Sequence, residues 1–159
     1  MAIIFENNKS LIEVSGKISA PGRIIQVVET VTTAGVAHAS TSPVDIFTSN
    51  AITLTNANNA VLVELHADNR ANDWGDGVWN LYYMDIIHVQ SGTQLTYTGY
   101  RGELTNTIRH VNRTAIHYPG SVGPHTYKAR GWSYQGSTTT YITGADGTPG
   151  YLRLTEVAV

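Results

Sequence analysis

The chain has 159 residues, a formal net charge of -2 and a sequence pI of about 6.3. That length suits one domain able to bury a hydrophobic core, and that charge argues against nucleic acid or an anionic membrane as a partner drawn by bulk electrostatics. There is no cysteine, so disulfides and thiolate metal sites are excluded. Charged residues make up 14%, against about 25% in ordinary soluble domains, and threonine is the commonest residue. Two readings fit a surface of that kind: polar strand faces, or faces that bury themselves against copies of the chain, since charge depletion marks interface cores. Met1–Asn7 carries no basic stretch and too short an apolar run for a signal peptide. No run approaches the roughly 20 apolar residues of a membrane span. A protein made and kept in the cytosol, with no membrane partner, is the expectation.

In chain order, Phe5, Leu11, Ile12 and Val14 form an apolar set separated from the rest of the chain by Ser15-Gly16 and Ala20-Pro21-Gly22. Residues 1–21 are expected to be an N-terminal arm, either a loose first strand or an attachment segment docking on a neighbour, ahead of a domain at 22–159. Strand signals then recur: 24–33, rich in β-branched residues, 44–47, 51–55, 61–66, 78–90, 94–100, 107–117, 126–134, 138–143 and 151–157. Turn chemistry fills most gaps, as in Asn56-Ala57-Asn58-Asn59, Ser91-Gly92, Tyr118-Pro119-Gly120 and Asp146-Gly147-Thr148-Pro149-Gly150. Helical periodicity is almost absent. The pattern predicts an all-β, jelly-roll-like β-sandwich of about eight to ten antiparallel strands. The 78–90 run is apolar on both faces, with Leu81, Tyr83, Ile87 and Val89 on one and Tyr82, Met84 and Ile86 on the other. A strand of that kind is central in a thick core or part of a subunit contact, and the first set is taken as a candidate trimer interface.

No motif for catalysis emerges. The six histidines include no His-x-His or His-x-x-x-His pair, so partly buried or surface imidazoles are expected rather than a zinc site assembled across strands. Residues 68–77 concentrate Asp, Asn and Gly, but the twelfth position from Asp68 is Trp79, where a calcium loop of the EF-hand type needs a bidentate Glu. A long exposed loop is expected there, with Trp74 at its tip as a contact residue. Gly-x-Ser-x-Gly is absent, and nothing in the spacing pairs Glu64, Asp85 or Glu103. Trp132, Tyr134, Tyr141 and Tyr151 offer either a sugar-stacking platform or ordinary cross-strand packing. No catalytic residue, cofactor or metal is expected.

Two groups of segments carry a resemblance. Gly22-Arg23-Ile24-Ile25-Gln26-Val27-Val28, the Thr/Ser-rich run to Ser40-Thr41-Ser42-Pro43-Val44-Asp45-Ile46, and Ile52-Thr53-Leu54 open the domain. Pro124-His125-Thr126-Tyr127-Lys128-Ala129-Arg130, Thr140-Tyr141-Ile142 and Leu152-Arg153-Leu154-Thr155-Glu156-Val157-Ala158 close it. In this order they resemble a family of small virion proteins of aquatic tailed phages. The resemblance implies a jelly roll that forms homotrimers, has no enzymatic activity, and sits on the virion surface after assembly in the host cytoplasm. It further implies a capsid cement or decoration protein bound to the major capsid protein or another virion protein. The alternative within the same family is the receptor-binding tip of a tail fibre or spike that meets a host surface glycan.

Overall fold

A computed structural model describes residues 12–14, 17–19, 21–72, 80–102, 108–133, 139–142 and 149–159, and every regular element among them is a β-strand. In chain order these are β1 (Ile12–Val14), β2 (Lys17–Ser19), β3 (Ile24–Thr32), β4 (Val36–His38), β5 (Val44–Thr48), β6 (Ile52–Thr53) and β7 (Ala60–Asn72). They are followed by β8 (Asn80–His88), β9 (Gln94–Gly102), β10 (Ile108–His117), β11 (Pro124–His125), β12 (Tyr127–Ser133), β13 (Thr139–Ile142) and β14 (Gly150–Val157). The core follows from alternation, because successive side chains of a strand point to opposite faces. Val61, Val63, Leu65 and Ala67 of β7 are buried, as are Tyr82, Met84 and Ile86 of β8, Tyr127 and Ala129 of β12, and Leu152 and Leu154 of β14. These side chains make one continuous cluster between two sheets.

In one sheet β3 pairs with β14, β14 with β7 and β7 with β10, while β13 takes the place of β14 further along β7 and carries β4 at its edge. The second sheet has the order β5-β12-β8-β9. Taking β3 with β4 and β13 with β14 as interrupted single ranks, the chain passes between sheets at almost every step and doubles back only at the β8-β9 hairpin. That is the strand order of a jelly roll, two four-rank antiparallel sheets face to face. The small β6-β11 pair bridges the loops before β7 and β12.

Three features depart from the sequence expectations. β7 runs on to Asn72, so Asp68, Asn69, Arg70, Ala71 and Asn72 belong to a strand and not to a loop. Their turn-forming composition is overridden because β10 and β13 supply hydrogen-bonding partners on both sides. Residues 73–79, with Trp74, lie outside the described residues. β4, hidden in a Thr/Ser/Ala-rich stretch, forms because β13 pairs with it. At the front of the chain, β1 and β2 make a hairpin, Ile12 opposite Ser19 and Val14 opposite Lys17, paired with no other strand among the described residues. Phe5 and Leu11 lie outside the described residues.

One buried charge joins segments that lie far apart in the chain. Glu156 is fully buried and accepts hydrogen bonds from the Thr55 amide (2.7 Å), the Thr55 hydroxyl (2.8 Å), Asn59 Nδ2 (2.6 Å) and Gln26 Nε2 (2.6 Å). Burial alone would raise its pKa, but the donors from Asn59, Gln26 and Thr55 outweigh burial and hold it below the ordinary value of 4.5. The carboxylate thus ties β3, the loop before β7 and β14 together. Removing it takes the carboxylate partner from buried Asn59 and from the Gln26 and Thr55 donors beside it. Glu156→Ala is expected to cost about 3 kcal/mol, read from the midpoint of urea unfolding at constant m-value, with Glu156→Gln recovering part of the loss. The wild-type contribution should be complete above about pH 4.5 and disappear as pH falls through the lowered native pKa.

Candidate interaction surfaces

The pairing register lays the outward side chains of the first sheet in rows. Val27, Thr155, Leu62 and Ile116 form one, Glu29, Arg153, Glu64 and Thr114 the next, and Val31, Tyr151, His66 and Asn112 a third, with Asp68 and His110 paired beyond. The first row belongs to an apolar end. Ile24, Val27, Ile116, Tyr118 and Val159 are all more than half exposed, and Pro21, Ala60, Leu62, Ile116, Tyr118 and Val157 line a depression of about 320 Å³. The rim is fixed by two backbone bonds, since the Gly22 amide donates to the Ala158 carbonyl (2.7 Å) and the Ala158 amide to the Arg23 carbonyl (2.9 Å). Gly22 has φ of 79°, a conformation that a residue with a Cβ adopts only under strain. Sequence reading missed this surface, because its members come from four strands whose register alone brings them together.

The second sheet presents aromatic rings. Tyr83 stacks on Trp132 and on Tyr97, each with ring centroids 5.4 Å apart, and Tyr97 lies 5.9 Å from Trp132. Tyr97 is 58% exposed and was not anticipated. The row from which a trimer interface was expected is less apolar than the sequence suggested. Tyr83 and Ile87 are half-buried on the outward face and Val89 is exposed beyond the strand end, but buried Asp85 stands between Tyr83 and Ile87. Asp85 accepts from Arg130 Nε (2.9 Å), Arg130 Nη2 (2.5 Å) and Gln94 Nε2 (2.8 Å). That fork keeps the Arg130 guanidinium more firmly protonated than usual, its hydrogen bond to Asp85 being the main cause. Leu81 lies on the backbone of β8. Trp132 stands on β12 in the second sheet, whereas Tyr141 stands on β13 and Tyr151 on β14 in the first. Tyr134 lies outside the described residues.

Histidines gather in two places. At one end of the sandwich, His88, His117 and His125 surround Tyr127, with the His88 and His117 rings 4.6 Å apart and those of His88 and His125 5.2 Å apart. His125 Nε2 donates to the Ser121 carbonyl (2.9 Å), which leaves its Nδ1 to accept from His88 Nε2 (3.1 Å), and His88 Nδ1 to accept from the Ser91 hydroxyl (2.8 Å). One set of neutral tautomers satisfies the whole chain of bonds. His117 Nδ1 meets the Tyr127 hydroxyl (3.0 Å), whose pKa burial pushes up. The second group lies on the outer face of the first sheet, where one ring nitrogen of His66, one of His110 and a carboxylate oxygen of Asp68 all lie within 4.8 Å of one another.

No protein-family model matches the chain, and no curated protein sequence matches it. Solved structures of infectious bursal disease virus are similar in shape. The T13 viral particle matches at a TM-score of 0.49 and 11% identity over 92% of this chain and 39% of that one. The Gx strain structure matches at 0.47 and 10% over 100% and 46%, and VP2-derived T=1 particles at 0.46 and 13% over 91% and 40%. This chain spans less than half the length of those viral chains. The jelly-roll assignment rests on the strand order itself.

The histidine cluster makes stability depend on pH. Burial first, then the positive charges that His117 and His125 would carry, lowers the His88 pKa from 6.5 to about 4, and burial with His125 lowers that of His117. The unfolded chain therefore binds more protons than the native one between about pH 6.5 and pH 4, so stability present above that window is lost as pH falls through it. For His88 the loss is on the order of 3 kcal/mol. Denaturant unfolding at pH 7 and pH 4 should show most of it, and His88→Gln should flatten the dependence.

Proposed function

We propose that this chain is a non-enzymatic structural protein of a virus particle, a jelly roll that works as a homotrimer and decorates the head of a tailed phage by binding its major capsid protein or another virion protein. The observation that carries this reading is the apolar end of the first sheet. Scattered exposed apolar residues need no explanation, but a contiguous set around a depression marks a contact surface. Ile24, Val27, Leu62, Ile116, Tyr118 and Val159 meet that description. A cyclic trimer covers such a patch by packing it against a different face of the next copy, which closes the ring. The patch suits contact between copies better than the outward row of Leu81, Tyr83, Ile87 and Val89, whose middle is occupied by the Asp85–Arg130 ion pair. The low charge content and the resemblance of the opening and closing strands to small phage virion proteins point the same way. The arm of residues 1–21, with Phe5, Leu11, Ile12 and Val14, is the segment offered to the particle, and 22–159 is the domain.

A second reading is favoured by one feature. The ring stack of Tyr83, Tyr97 and Trp132 lies beside Asp85, Arg130, Lys128 and Asp45 on the second sheet. Aromatic faces bordered by paired charged donors and acceptors suit a sugar ring, and a fibre or spike tip would use them on a host glycan.

Multi-angle light scattering of the purified chain is expected to give about three times its 17.2 kDa mass, and Ile116→Asp to shift the population towards the monomer while leaving circular dichroism unchanged. A monomer at micromolar concentration for the unaltered chain would defeat the trimer. Labelling of purified particles distinguishes the two roles. Signal over the whole head supports decoration, and signal confined to tails with cell binding abolished by Trp132→Ala supports the fibre tip.

A further inference from the structure

We propose that His66, Asp68 and His110 form a binding site for a single divalent transition metal ion, best suited to Zn²⁺. The three side chains come from two neighbouring strands. His66 and Asp68 are two residues apart in β7 and so share its outward face, and the register of β10 sets His110 opposite Asp68 and Asn112 opposite His66. One nitrogen of each imidazole and one carboxylate oxygen lie within 4.8 Å of each other. Ligand atoms of a tetrahedral zinc stand about 3.3 Å apart, a closure of at most about 1.5 Å that His110, exposed for 65% of its side chain, is free to make.

Two further observations support the site. Asp68 is only 4% exposed, and among the described residues its carboxylate is bonded to His110 Nδ1 at 2.5 Å. A buried carboxylate is stabilised by a cation, and a metal shared by two imidazoles supplies that charge. The His66 ring is also held in place before any ion arrives. His66 stacks between Tyr151 (5.1 Å, 13° between planes) and His110 (6.2 Å, 15°), and its Nδ1 lies 2.5 Å from the Asn112 side-chain oxygen. Histidines oriented by an amide or carboxylate bond on one nitrogen are the arrangement in which metal-ligating imidazoles are usually found. Two nitrogens and one oxygen suit zinc better than magnesium or calcium, which take oxygen donors. With three protein ligands a fourth position faces solvent, open to water or to a donor from another molecule.

The test is isothermal titration of the full chain, first stripped with a chelator, with ZnCl₂. One ion per chain with a dissociation constant in the low micromolar range or tighter is expected, together with a rise in melting temperature. His110→Gln and His66→Gln should each weaken binding at least about 100-fold, whereas His117→Gln, in the other histidine group, should leave it unchanged. Co²⁺ should give the strong visible absorption of a four-coordinate ion, lost in His66→Gln. Asp68→Asn alters a buried group and bears on the site only where the variant folds, so the exposed His110 is the decisive position. Absence of saturable binding, or equal affinity in the wild type and both histidine variants, overturns the proposal.

Discussion

The arrangement depends most on one buried carboxylate. A jelly roll has no helix to clamp its layers, so its ranks are held by ladder hydrogen bonds within sheets and by apolar contact between them. Glu156 adds a polar joint at the point where the first rank, the loop entering the third and the last rank converge. Its donors are an amide, a hydroxyl and two carboxamides, so neutral groups stabilise the charge. Gln26 acts twice: its Nε2 also donates to the Thr53 carbonyl at 2.6 Å, which locks the short β6 against β3. A substitution at Glu156 therefore alters the relation between segments 26, 53–59 and 156 together.

Much of this was legible in the sequence. Alternation in 61–66 and the turn residues between strands pointed to the fold class, because those signals are local and have period 2. The segments resembling small phage virion proteins contain Gln26, Thr53 and Glu156, which the structure brings into contact although they lie far apart in the chain. Strand lengths were less legible. Asp68 to Asn72 read as a loop because Asp and Asn favour turns in isolation, and only pairing with β10 and β13 makes them strand.

The candidate surfaces were the least legible part, for a geometric reason. Sequence spacing reports which residues share a face of one strand, and says nothing of what faces them from the next. His66-Ala67-Asp68 already holds two metal-ligating groups with the period of a strand, but it becomes a three-ligand group only when register places His110 across from Asp68. The reverse error arose with the aromatic residues of the C-terminal third. Trp132, Tyr141 and Tyr151 are near in sequence, yet successive ranks of a jelly roll alternate between sheets, so Trp132 instead joins Tyr83 and Tyr97. The row of Leu81, Tyr83, Ile87 and Val89 looked continuous until Asp85 was counted as a member of it, buried and paired with Arg130.

The position of the titrating groups gives these features a common logic. Val61 pairs with Glu156 on one side and with His117 on the other, so the Glu156 joint and the histidine cluster flank the same end of β7. That end also carries Ala60, Leu62, Ile116 and Tyr118 of the apolar depression on its outer face. The outward apolar surface is thus backed by two polar networks that hold its strands in fixed register, a rigidity that lowers the ordering cost of any contact made there. Both networks lose stability in acid, the histidines first and the carboxylate at lower pH, since each pKa is depressed in the native state. Acid therefore weakens the scaffold directly beneath the apolar patch, while the charge-independent core of Val63, Leu65, Met84, Ile86, Leu152 and Leu154 is unaffected by protonation.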